Sequence, residues 1–320
     1  MQTLFQLEGI MRISGVTVVS RKKDRKNHFI IYVLMFIVLI LLAIFLVSLY
    51  AGFKITHPEK KQLPSLSANV AHGTEEIYFY GSLENVRLNG WYIEHPDSDK
   101  TIIMAHSYGK NRLQFDEETF EMINRFIVER YNILLFDFRY SGESEGSYCT
   151  FGLDEKNDVL GAVNYAKAKG AEEIILIGFS SGAVAGILAA EESDDIDMLI
   201  LDSPYQNPGN YVSKLTGLPQ TPFKWTILKT MKILPGIDLE KELNIETSIK
   251  SVANKPILII HGVDDKKIDV LASRDLFNAC IKTSGNDVEL WEIEGVSHLG
   301  GYTKNPQKYT QKILEFIKSN

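Results

Sequence analysis

The sequence predicts an α/β protein: a mostly parallel sheet with helices on both faces, interrupted by a lid insertion and preceded by one transmembrane helix. Three observations predict it. From TIIMA (101–105) onward, short apolar runs alternate with helical stretches, the rhythm of parallel βαβ units. The stretch 203–252 breaks that rhythm, with Pro204, Pro208, Pro219, Pro222 and Pro235 set among Phe223, Trp225 and several Leu, and reads as short helices forming a cap. Phe29 to Tyr50 is an uncharged apolar run that as a helix would reach about 33 Å, enough for a hydrocarbon core of about 30 Å.

A cleaved secretory signal would have an apolar region of roughly 7–15 residues ending in a small-x-small site. Here cleavage after Ala51 or Gly52 would put Leu49 or Tyr50 where a small residue belongs, so an uncleaved anchor is expected. Arg21, Lys22, Lys23, Arg25 and Lys26 precede the span and only Lys54 closely follows it. Positive charge stays in the cytoplasm, which orients the carboxyl-terminal bulk outward at the cell membrane. The expected organisation is a basic tail at 1–28, an anchor at 29–53, a stalk at 54–74 and one domain at 75–320 with its lid at about 203–252. Met11 offers an alternative start with a shorter tail.

The chain holds 34 Lys and Arg against 41 Asp and Glu, and the remainder beyond the basic tail is acidic, which argues against a nucleic-acid surface. Its two cysteines, Cys149 and Cys280, lie too far apart to imply a disulfide framework or a metal cluster. No H-E-x-x-H, P-loop or G-x-G-x-x-G occurs, so metalloprotease, nucleotide-hydrolase and dinucleotide-enzyme readings lose their usual support, and no metal or cofactor is expected.

In chain order, EIYFY and VRLNGWYIEH read as two strands joined by a turn, and TIIMA as a buried strand. The loop His106-Ser107-Tyr108-Gly109-Lys110-Asn111 leaves that strand at the end where open α/β sheets place their chemistry. A helix from about Asp116 to Arg130, the strand NILLFDF and a helix from about Leu153 to Lys169 lead to Ile174–Ala190. There an apolar strand runs without a gap into Gly178-Phe179-Ser180-Ser181-Gly182 and then an Ala-rich helix. MLILD comes next, ending at Asp202. After the lid come PILIIHG, a helix near Val270 to Cys280, VELWEI, and a helix from Pro306 to Lys318.

Strand, sharp turn and helix are the setting of a nucleophile elbow, in which Ser180 would stand exposed and the N–H of Ser181, at a helix N-terminus, would face a developing negative charge. A serine hydroxyl is a poor nucleophile at neutral pH and needs a base, and the base needs an orienting acid. His298, in EGVSHLGG after the last strand, is the expected base. His261 ends a buried strand, where a structural role fits better. Asp202, Asp264 and Asp265 all come directly after strands; the run His261-Gly262-Val263-Asp264-Asp265 puts Asp265 where its loop can turn back toward His298, with the other two as alternatives. A second oxyanion donor is expected from the main chain of Ser107 or Tyr108, with His106 shaping that loop.

From about Glu75 onward the chain resembles the α/β-hydrolase superfamily, in particular bacterial surface-anchored serine hydrolases grouped with its acyl-thioesterase-like and dienelactone-hydrolase-like branches. The matching residues are Asp137-Phe138-Arg139 with Gly142-Glu143-Ser144, the Gly178 to Gly182 elbow, His261-Gly262 with Asp265, and Gly295 with His298. The resemblance implies a Ser180, Asp265, His298 triad hydrolysing an acyl bond through an acyl-enzyme, and an ester or thioester in a small-molecule acyl substrate is the expected target. Two positions depart from the pattern. Ser107 stands where glycine is usual, and Ile268-Asp269 where Val-Pro is usual. Asp137 to Ser144 reads as a structural turn, with Arg139 in a buried ion pair. A peptidase or amidase on the same residues, and a catalytically silent member binding through its lid cleft, are the alternatives. Substrate and oligomeric state are left open.

Overall fold

The computed structural model describes residues 12–13, 16–17, 25–64, 73–83, 85–233, 236–283 and 287–320, in two units, Met1–Leu46 and Val47–Asn320. In the first unit Arg12–Ile13 pairs antiparallel with Val16–Thr17, and helix α1 (Arg25–Thr56) begins. His28–Thr56 is long and apolar enough to cross a membrane, with an 18-residue stretch of mean hydropathy 3.5. Arg21, Lys22 and Lys23 of the expected basic tail lie outside the described residues.

The second unit is built on eight strands: β1 (Thr74–Tyr80), β2 (Arg87–Ile93), β3 (Lys100–Ala105), β4 (Asn132–Phe136), β5 (Glu173–Phe179), β6 (Met198–Asp202), β7 (Ile257–Gly262) and β8 (Val288–Ile293). Their spatial order is β8-β7-β6-β5-β3-β4-β2-β1. The pairs β1 with β2 and β2 with β4 are antiparallel, and every other pair is parallel. The central strands read as unbroken apolar runs because both faces are covered. Ile103 and Ala105 of β3 enter one core cluster while Ile102 and Met104 enter the other, and Leu134 and Ile133 of β4 divide the same way.

One face carries α3 (Glu155–Ala168), α4 (Ser181–Glu192) and α9 (Val270–Ile281); the other carries α2 (Thr119–Val128) and the carboxyl-terminal helix Pro306–Ser319. The chain leaving β3 runs to β4 on one side and the chain leaving β5 runs to β6 on the other, so the crevice between β3 and β5 is the switch point where such sheets bind ligands. Between β6 and β7 the expected lid is made of α5 (Pro208–Thr216), α6 (Gln220–Ile233), α7 (Leu239–Glu242) and α8 (Ile245–Ser251). Pro208 opens α5 and left-handed Gly217 (φ 66°) closes it, so the prolines that break the βαβ rhythm punctuate the lid helices. Pro235 lies outside the described residues.

The end of α1 is bound to this unit. Ser48 is buried with its hydroxyl 2.6 Å from that of Thr226, the Cys149 N–H donates to the Thr56 carbonyl at 2.8 Å, and Ile55 joins the core. The segment expected as a stalk continues in the same way. The Asn111 side-chain amide donates to the carbonyls of Lys61 and Gln62, both at 3.2 Å, and Lys60 Nζ donates to the Ser144 carbonyl at 2.7 Å. Residues 54–64 are therefore part of the domain surface, and 65–72 lie outside the described residues. The helix expected from Asp116 begins as one 3-10 turn, with α2 proper starting at Thr119. Cys149 and Cys280 are free and buried.

Candidate active site

Loops that follow β3, β7 and β8 line a cleft of about 950 Å3, with Ser107, Tyr108, Tyr211, Lys267 and His298 among its walls. At the end of β5, Ser180 is held at φ 52° and ψ −109°, a left-handed conformation that costs a non-glycine residue on the order of 1–3 kcal/mol. The flanking glycines make the turn possible. A Cβ at Gly178 would lie 2.6 Å from Ala183 Cα, and one at Gly182 would lie 2.2 Å from the Ala105 carbonyl oxygen. Strand and helix approach too closely there for any side chain, which is why this pentapeptide takes the form it does. Ser181 is the first residue of α4, so its N–H is among the unpaired donors of a helix N-terminus.

The expectation that Ser180 stands exposed is corrected by the structure. Ser180 is completely buried, and its Oγ has no well-formed hydrogen bond among the described residues. Against it lies the hydroxyl of Tyr211 of lid helix α5, a residue 4% exposed and stacked on Tyr205 with ring centroids 4.5 Å apart. Burial pushes the Tyr211 phenol up to about 12, opposed by the adjacent Ser180 hydroxyl. The covering residue comes from a segment whose packing no local pattern reveals, so the sequence held no signal for it.

In the loop after β8, His298 Nδ1 lies 2.6 Å from Asp265 Oδ2. The Lys267 and Ile268 N–H groups donate to Oδ1 at 2.7 and 2.9 Å, and His261 Nε2 is 3.3 Å from Oδ2. Burial raises the pKa of Asp265, but the bonds from His261, His298 and the Ile268 N–H, with the charge of His298, outweigh it and hold the carboxyl well below the usual range. A carboxylate depressed in this way contributes stability above its ordinary pKa of about 4 and loses it as pH falls further. Nδ1 thus faces the carboxylate, which leaves Nε2 as the nitrogen available to another group.

The alternatives sit elsewhere. Asp264 is exposed. Asp202 is buried and accepts hydroxyl hydrogen bonds from Tyr309 at 2.6 Å and Ser203 at 2.8 Å. His261 is buried, with Nδ1 2.6 Å from Ser273 Oγ and Nε2 3.1 Å from the Ile268 carbonyl, so it braces the Asp265 loop. His106 is likewise structural: Nδ1 lies 2.8 Å from the Ser107 carbonyl, Nε2 accepts from the Phe138 N–H at 3.0 Å, and burial lowers its pKa. Asp269 caps α9 through the Leu271 N–H at 3.0 Å. Asp137 pairs with Arg112 at 2.6 Å, and Arg139 with buried Asp158 at 2.9 Å.

Of the two expected loop donors, the Ser107 N–H is engaged. It donates to Gln114 Oε1 at 2.7 Å, a partner seven residues away in a loop with no telling pattern. The Tyr108 hydroxyl donates to the Ile55 carbonyl at 2.7 Å, tying this loop to the end of α1.

A family profile described as alpha/beta hydrolase fold matches residues 100–228. Together with the sheet order and the solved relatives, it shows that this chain has the α/β-hydrolase fold. It is 29% identical over 243 residues to the uncharacterized protein YqkD of Bacillus subtilis, covering 72% of this chain and 75% of that one. Esterase Pf2001 of Pyrococcus furiosus superposes with a TM-score of 0.68 at 25% identity, covering 82% of this chain and 98% of the esterase. Est1E of Butyrivibrio proteoclasticus, solved with ferulic acid, shares the fold with a TM-score of 0.59 at 20% identity over 76% of this chain and 98% of that one. These likenesses support a hydrolase.

Proposed function

We propose that the protein is a membrane-anchored serine hydrolase that cleaves an ester or thioester through an acyl-enzyme, with Ser180 as nucleophile, His298 as base and Asp265 as the orienting acid. The observation that carries this reading is the Ser180 hydroxyl, buried and without a well-formed hydrogen bond on a strained elbow, beside a cleft that also holds a bonded His298–Asp265 pair. A buried polar group without a partner costs roughly 1–3 kcal/mol, and strain adds to it. Both costs falling on one residue fit a group kept ready for chemistry.

His298 Nε2 takes the Ser180 proton as Oγ attacks the carbonyl carbon, and the new oxyanion is held by the N–H groups of Ser181 and Tyr108. Asp265 stabilises the imidazolium through Nδ1–H. Collapse expels the alcohol or thiol, which receives its proton from Nε2. Water, deprotonated by the same nitrogen, then attacks the acyl-enzyme and releases the acid, restoring the Ser180 hydroxyl. Comparing turnover of p-nitrophenyl esters, acyl thioesters and matched anilides tests the reaction class. Anilide cleavage as fast as ester cleavage would favour an amidase.

The cover over Ser180 must move before a substrate or inhibitor arrives. Tyr211→Ala should speed fluorophosphonate labelling by about tenfold, equivalent to easing the opening step by roughly 1.4 kcal/mol. An unchanged or slower rate would mean that Tyr211 does not restrain access.

The orientation rests on the positive charge before the span, with Arg21, Lys22, Lys23, Arg25 and Lys26 held in the cytoplasm. Protease added outside intact cells should then remove the domain. Protection until lysis would reverse the assignment.

A further inference from the structure

Next to the catalytic cleft lies a second cavity of about 550 Å3 that the reaction itself does not use. Its apolar wall is formed by Val47, Tyr50, Ala51 and Ile55 from the end of α1, facing Leu218 just past lid helix α5, while Lys54, His57 and Glu59 supply its polar part. Tyr108 and Leu215 line both this cavity and the cleft that holds His298. The Tyr108 hydroxyl, donating to the Ile55 carbonyl at 2.7 Å, pins the partition between them to α1.

From this shared wall we infer that the second cavity is the acyl subsite: a long, unbranched acyl chain, with its carbonyl at Ser180, passes Tyr108 and Leu215 and lies between the end of α1 and the lid. The inference rests on the serine-hydrolase reading and gives it a substrate class, esters or thioesters of long-chain fatty acids. A cavity of this size falls within the range of small-molecule pockets, roughly 300–1,000 Å3. Each methylene buried there is worth a factor of about four in affinity, so a chain that reaches the cavity is strongly preferred over one that ends in the cleft. The end of the apolar helix would therefore serve as a wall of the substrate site as well as part of an anchor.

The test uses the full chain in detergent micelles and compares kcat/KM for p-nitrophenyl dodecanoate and butyrate. Leu218→Trp and Ala51→Trp fill the cavity from opposite walls, and each should lower the dodecanoate-to-butyrate ratio at least tenfold. In the wild-type protein, a fluorophosphonate with a twelve-carbon chain ending in a diazirine should crosslink to peptides within 47–59 or 211–218, a readout that survives poor folding of either variant. Ratios unchanged in both variants, or crosslinks confined to other parts of the cleft, would overturn the subsite while leaving the hydrolase reading in place. A wild-type protein that neither turns over an ester nor takes the label would overturn both.

Discussion

Ser180→Ala should remove ester turnover by about six orders of magnitude, the scale of nucleophile loss in serine hydrolases, and abolish covalent fluorophosphonate labelling while the fold is kept. The fold is kept because the hydroxyl does no structural work: Oγ has no well-formed hydrogen bond among the described residues, and the backbone is fixed instead by the Ser180 N–H donating to the Asp202 carbonyl at 2.8 Å. Alanine adopts the same left-handed φ at a similar cost, and it removes a buried polar group that had no good partner. Thermal unfolding followed by circular dichroism should therefore show no loss of stability. Labelling that persists in the variant would place the nucleophile elsewhere and end the assignment.

Asp265→Asn should lower turnover by about four orders of magnitude, as the same substitution does in a serine protease triad, again with little change in fold. The hydrogen bonds specify how. Oδ1 accepts two backbone N–H bonds, from Lys267 and Ile268, so an asparagine keeps its oxygen there and turns its amide nitrogen toward His298 Nδ1. That nitrogen donates, which forces Nδ1 to accept and puts the ring proton on Nε2, where it cannot take a proton from Ser180. Asp264→Asn, at an exposed position, should leave turnover near wild type. Asp202→Asn is a different control. It receives hydroxyl bonds from Tyr309 and Ser203, so the variant should lose roughly 1–3 kcal/mol of stability while its folded fraction still turns over substrate. A crippled Asp202→Asn beside an active Asp265→Asn, compared per folded molecule, would move the acid to β6.

The strands were legible residue by residue because each central strand is buried on both faces and so is written as an uninterrupted apolar run. The elbow was legible for a local reason: the clash of any Cβ at Gly178 or Gly182 lies within a few residues or at the adjoining strand, so the requirement is written into the pentapeptide itself. The pairing of Asp265 with His298, thirty-three positions apart, could be anticipated because both residues come just after neighbouring parallel strands, whose carboxyl ends are brought together by topology. The apolar span was likewise plain from its length and lack of charge.

What the chain could not announce are contacts between segments that share no periodicity. Tyr211 against Ser180, Gln114 taking the Ser107 N–H, and residues 61–64 lining the cleft each depend on how an irregular segment folds back on the sheet. Such segments are held by single hydrogen bonds and scattered apolar side chains, which leave no repeating pattern in a sequence. The sequence by itself therefore determined the sheet, the elbow and the residues able to act on one another at its carboxyl edge. Only the tertiary structure decided that the serine is buried, that the Ser107 N–H is taken by Gln114, and that the end of the amino-terminal helix is packed into the domain, because those outcomes arise from long-range packing that no local run of residues encodes.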